Sequence, residues 1–131
     1  GEPLEAIVTH LIPFYPLNKF YRLAQDWYAR RAKQVSYLSS IAKNYDDPII
    51  FMCDCNFTDT SETYSLMKQA MNDSFYETGW GFGHTFLGKF FPVGRIDYIW
   101  HTEDIKTVEA YVGKGGGSDH LPVVAELQLV K

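Results

Sequence analysis

The chain is short of several things. Only two of its 131 residues are cysteine, positive charge is outnumbered, and no apolar run is long. A membrane-spanning helix takes about 20 consecutive apolar residues, and nothing here approaches that. A signal-peptide pattern is missing as well. Twelve Lys and Arg stand against sixteen Asp and Glu, a net charge of -4, which argues against a broad electrostatic grip on DNA or RNA. Any contact with a phosphate chain has to be local. No internal repeat or low-complexity stretch occurs beyond the short GKGGG at residues 113 to 117. The start, GEPLEAIV, has no initiator Met, so the segment is expected to be cut from something longer or to carry a cloning scar.

What is present is the material of a folded core. Hydrophobic residues make up 46% of the chain and aromatics 16%, enough for one domain and too little length for two. The two cysteines, Cys53 and Cys55, are two residues apart in a strand-like run. On a strand their side chains share a face in a geometry poor for a disulfide, so they read as small buried apolar residues.

LEAIVTHL, residues 4 to 11, reads as a strand followed by a Pro-rich loop. From Lys19 to Asn44 the sequence runs without Gly or Pro. Phe20, Leu23, Trp27, Ala32, Val35, Leu38 and Ile41 recur near helical spacing, with Asn18 as the cap. Arg30, Arg31 and Lys33 read as the solvated opposite side. DDPIIFMCDCN, residues 46 to 56, is a turn and then a continuous apolar run, as in a strand buried on both faces. A helix is expected over residues 57 to 73, capped near residues 58 to 60, with Leu66, Met67, Ala70 and Met71 inward. Strand patterns follow at residues 84 to 86, 95 to 101, 105 to 112 and 121 to 130. Such uneven mixing suggests a mixed α/β sandwich layer rather than repeated βαβ units.

Several polar residues sit where these strands ought to be apolar: His10, the pair Asp54 and Asn56, Asp97, and the pair Asp119 and His120. Each lies within or at the end of a strand, where catalytic groups are commonly gathered. Taken alone, Asp119 and His120 also fit a turn. Asp97, between Ile96 and Tyr98, needs a partner if it is buried, and the adjacent Arg95 points to the other face. In phosphate ester hydrolysis the set divides naturally. One carboxylate holds a divalent cation, a second orients the attacking water, and an amide and imidazoles steady the developing charge. Asp54 and Asn56, two apart on a strand, reach the same side.

In that order, IIFMCDCN, RIDYIW and GSDHLPV resemble the signature segments of the endonuclease/exonuclease/phosphatase superfamily, with VTHL and RAKQ resembling what precedes them. The resemblance runs from about residue 5 to the end. It implies an α+β fold, part of a four-layered α/β sandwich of the deoxyribonuclease type, with a mixed sheet flanked by helices. It also implies a metal-dependent phosphoesterase using Mg2+ or Mn2+. His10 then resembles the histidine that assists the leaving group or binds phosphate. Asp54 resembles the water-orienting carboxylate, here also a metal ligand, and Asn56 the phosphate contact. Asp97 resembles the buttress of a catalytic imidazole, Asp119 a residue of the metal site, and His120 the histidine at the scissile phosphate.

Two departures stand out. The family's Gly-Asp-x-Asn reads Cys53, Asp54, Cys55, Asn56. The family domain is also roughly double this length, and its early Asn and metal-binding Glu have no counterpart here. Residues 1–131 are therefore expected to be a single partial domain, the C-terminal half, inactive on its own. Its expected partners are a phosphate ester substrate, with nucleic acid, phospholipid and small phosphate esters all left open, and the missing N-terminal half. A homodimer through the exposed sheet face is a further expectation. The alternative is a non-catalytic fragment or binding module that keeps the motifs without a complete metal site. In residues 77 to 94, Trp80, Phe82, Phe86, Phe90 and Phe91 suit stacking on bases, contact with lipid tails, or the core. The wording of this loop is closest to bacterial members, several of them membrane-associated, of which this would be the soluble part.

Overall fold

The computed structural model describes residues 5–10, 21–88 and 92–130. Along the chain the elements are β1 (Glu5–His10), α1 (Tyr21–Asn44), β2 (Ile49–Asp54), α2 (Glu62–Lys68), β3 (Asn72–Asp73), α3 (Ser74–Thr78), β4 (Phe86–Leu87), β5 (Pro92–Gly94), β6 (Asp97–His101), β7 (Ile105–Val112) and β8 (Val123–Leu129). The main sheet has the order β1-β2-β6-β3, while β4 pairs with β5 and β7 with β8. The fold is α+β.

The apolar run of β2 is sorted by strand alternation. Ile49, Phe51 and Cys53 are buried against Val35 of α1 and Met67 of α2, together with Tyr98 and Trp100 of the antiparallel neighbour β6. Residues paired across an antiparallel ladder project to one face, so Phe51 with Trp100 and Cys53 with Tyr98 make the floor of this core. The complementary set, Ile50 with His101, Met52 with Ile99 and Asp54 with Asp97, points to the opposite side. There α3 and the β7–β8 pair cover part of the sheet.

Two polar clusters lock the layers. His101 lies fully buried with Nε2 3.0 Å from Glu77 and 2.9 Å from the Thr107 hydroxyl, which ties β6 to α3 and β7. Below it, Asp73 caps α3 by accepting the Phe75 and Tyr76 N–H groups. Its other oxygen takes Tyr64 Oη at 2.8 Å and Arg95 at 2.5 Å. The Arg95 guanidinium is enclosed by the rings of Tyr98, Phe75 and Tyr64, at 4.7, 5.1 and 5.8 Å from their centroids.

The structure departs from the sequence reading at several points. The helix expected over residues 57 to 73 is only α2, capped by Ser61, whose hydroxyl accepts the Tyr64 N–H. The chain then pairs Asn72 and Asp73 with β6 and restarts as α3. Tyr64 is buried in place of Leu66, which is exposed. Arg31 is not on a solvated face: it is 2% exposed. Cys53 and Cys55 are buried in the core as expected, yet they are disulfide-linked, with Cα atoms 5.0 Å apart, because the strand ends at Asp54 and no longer separates them fully. The expected cap Asn18 and the side chains of Phe20, Leu23 and Trp27 lie outside the described residues. On the outer face of the β7–β8 pair, Tyr111 and its cross-strand partner Val124 are exposed.

Candidate active site

Three strands bring the site together. His10 pairs with Asp54 at the end of β1, and Asp54 pairs with Asp97 at the start of β6. The three positions form one transverse row across the sheet. His10 is placed here by backbone register; its side chain lies outside the described residues. Two carboxylates directly opposite each other on antiparallel strands repel unless a cation stands near them. His120 supplies it.

The imidazole Nδ1–H of His120 donates to both Asp97 oxygens, at 2.9 and 3.1 Å. Nε2 then faces Asp54, 4.0 Å from its nearer oxygen. Asp97 thus gains the partner that the sequence demanded, from a residue 23 positions away rather than from Arg95. Partial burial alone would lower the His120 pKa. The hydrogen bond and charge of Asp97, then the charges of Asp54 and Asp119, outweigh it and raise the value.

The segment carrying His120 is held at several points. Its own N–H donates to the Ser118 hydroxyl at 3.0 Å, and a bridge joins it to Phe86. The Phe86 ring packs at 5.0 Å from the imidazole. An open cleft of about 480 Å³ over His120 is walled by Asp97, Lys114, Ser118, Leu121 and Val123. A second recess of about 220 Å³, sharing Asp97 and Val123, exposes Asp54 and Met52.

The remaining expected residues fall into place unequally. Asn56 has φ 51°, a left-handed conformation that Asn tolerates better than most, and its N–H donates to Asp54 Oδ1 at 3.2 Å. Asp119 is exposed, and its carbonyl accepts the Leu87 N–H at 2.7 Å. Its charge acts on His120, but its carboxylate is outside the compact group. That group is Asp54, Asp97 and His120, with ligand atoms all within 4.8 Å of one another. Two carboxylates and an imidazole suit a hard divalent ion that keeps much of its shell as water or substrate oxygen.

Sequence reasoning missed Arg31, buried on α1 and electrostatically coupled to Asp54. Its signal was spacing: residues 27, 31, 35 and 38 lie on one helical stripe. Trp80 and Phe82, read as either core or contact residues, are 95% and 87% exposed, whereas Phe86 packs on His120. Phe90 and Phe91 lie outside the described residues.

The raised His120 pKa has a sign that can be checked. The group's contribution to stability is fully present below the ordinary histidine value, about 6.5, and lost as pH rises through the raised folded value. Titration of the ring by NMR should give a midpoint above that ordinary value, and Asp97→Asn should lower it. An unchanged midpoint in that variant would contradict the contact.

The model of the endonuclease/exonuclease/phosphatase family matches residues 3–120, and the chain belongs to this family. No curated protein matches it. Among solved structures it is similar to the endonuclease/exonuclease/phosphatase from Bacteroides vulgatus, at 22% identity and TM-score 0.68, over 78% of this chain and 45% of that one. The mannosyl-6-phosphatase of Bacteroides thetaiotaomicron is similar at 18% identity and TM-score 0.63, over 93% and 50%. The human Nocturnin catalytic domain with bound sulfate follows at 20% identity and TM-score 0.64, over 94% and 46%. At these identities the likeness is one of fold. The chain spans about half the length of these structures.

Proposed function

We propose that this chain contributes the site of a phosphate ester hydrolase that works with Mg2+ or Mn2+. The observation that carries the reading is the Asp54, Asp97 and His120 group, gathered from three segments onto one sheet edge. Asp97 fixes the imidazole by its Nδ1–H, leaving Nε2 directed at Asp54 across a gap of 4.0 Å. A group held there meets a carboxylate on one side and an imidazole on the other. Asp54 orients a water and draws on its proton, while the protonated Nε2 steadies negative charge on a phosphoryl oxygen. A divalent cation held by Asp54, with Asp119 nearby in sequence to His120, would supply further neutralisation of that charge. Asn56 and His10, at the ends of β2 and β1, complete the phosphate contacts in this reading.

The substrate class follows from the surface. The net charge of -4 favours recognition of one phosphate over a long polyanion. The exposed rings of Trp80 and Phe82 offer flat apolar contact to a base or a lipid tail. A complementary half-domain, or a second copy seated on the exposed Tyr111 and Val124 face, would cover the open strands.

The test is hydrolysis of a generic phosphodiester and a phosphomonoester with Mn2+ or EDTA by the enzyme that carries this chain. Turnover that requires the ion is the expected result. Calorimetric titration with Mn2+ runs beside it, because a binding module without a complete site predicts no saturable uptake and no turnover.

A further inference from the structure

Thr85 is fully buried, and its N–H, its carbonyl and its hydroxyl oxygen all bond to backbone around the site. Its N–H donates to the Gly94 carbonyl at 3.0 Å, and its carbonyl accepts the Leu121 N–H at 2.7 Å. Its hydroxyl oxygen accepts two further N–H groups, those of Ile96 at 3.0 Å and Asp97 at 3.1 Å. Leu121 follows His120 directly, and Asp97 is the carboxylate that holds the His120 ring.

We propose that Thr85 is a positioning residue of this site, its hydroxyl setting Asp97 and its backbone setting the segment of His120. The geometry explains why a hydroxyl is needed. In a regular strand, successive N–H groups point to opposite sides, so one neighbouring strand cannot accept from both Ile96 and Asp97. Here two consecutive N–H groups converge on one oxygen, which bends the chain just where β6 begins. That bend aims Asp97. Two residues on, the Leu87 N–H holds the Asp119 carbonyl at 2.7 Å, and Phe86 bridges and packs on His120. Residues 85 to 87 therefore splint two segments that are 23 residues apart in sequence. A valine of the same shape keeps the packing and offers no acceptor, leaving both N–H groups unpaired.

The proposal rests on the hydrolase reading only for its kinetic readout. The experiment compares Thr85→Val with Thr85→Ser in the enzyme that carries this chain. Three quantities are read: the nuclear Overhauser contact between the Phe86 and His120 rings, exchange of the Asp97 amide, and kcat against KM. The valine variant is expected to lose the ring contact, to exchange the Asp97 amide at least tenfold faster, and to lose at least tenfold in kcat with KM unchanged. Serine restores all three to within twofold. A folded valine variant that keeps the ring contact and slow exchange overturns the proposal. If valine does not fold, serine decides: normal ring contact and exchange support the hydroxyl's role, and their loss overturns it. Should the wild-type protein hydrolyse no phosphate ester, the functional reading falls, while ring contact and exchange in the two variants still decide the role of Thr85.

Discussion

Replacing His120 by Ala is expected to lower phosphate ester turnover by about 10²- to 10⁴-fold, the usual contribution of a positioned acid-base group. The fall should appear in kcat, because in the proposed reading the imidazole meets the reacting atoms and makes little of the remaining binding surface. Two effects act together. Nε2 opposite Asp54 is lost, and Asp97 is left facing Asp54 across the ladder without the His120 ring that it holds. Asp97→Asn retains the ring and should cost less, since the imidazole loses only its fixed orientation and part of its proton affinity. Steady-state kinetics over a range of pH measure both. Turnover within threefold of wild type in the alanine variant would remove His120 from the mechanism and with it the reading of the site.

Arg95→Met is expected to cause the largest loss of stability, about 3–5 kcal/mol, the range for removing one partner of a buried ion pair. Arg95 and Asp73 have side chains 3% and 0% exposed. Methionine approximates the stem and keeps contact with the rings of Tyr98, Phe75 and Tyr64, so the cost is chiefly that of stranding the Asp73 carboxylate. Tyr64 and two backbone N–H groups still reach that carboxylate, but among the described residues no other positive charge does. Against a total stability of about 5–15 kcal/mol for an ordinary domain, most of the folded population is at risk. Urea denaturation followed by circular dichroism measures the change. The double variant with Asp73→Asn should recover part of the loss. A shift below 1 kcal/mol in the single variant would show that the cluster is tolerant of an unpaired acid.

Much of this arrangement was legible before the structure. β7 was bounded correctly because its β-branched and aromatic residues run between a turn and a glycine-rich loop. The strand ends carrying His10, Asp54 and Asp97 were legible because polar residues interrupt apolar runs, whereas His120 lies in an isolated bridge ahead of β8. What escaped was decided by tertiary contact. Nothing in the spacing says that Asp54 and Asp97 are register partners, or that Asp97 holds His120. The helical period continues through Met71, so the break after Lys68 was invisible, although Asp73 three residues before Tyr76 carries a capping signal. Arg31 was read by its charge rather than by its place on the stripe. Thr85 gave no signal, since a threonine in a β-rich stretch is ordinary and only the convergence of two N–H groups on it is not.

The row of paired positions across β1, β2 and β6 makes the candidate site and the packed core a single readout of folding accuracy. A one-residue slip of β6 against β2 would turn Tyr98 and Trp100 out of the core in the same movement that turns Asp97 away from Asp54. Misregistered molecules would thus be unstable as well as inert, and so open to removal by proteolysis. Activity per folded molecule should accordingly stay nearly constant among core variants of β2 and β6, with damage appearing as fewer folded molecules rather than slower ones.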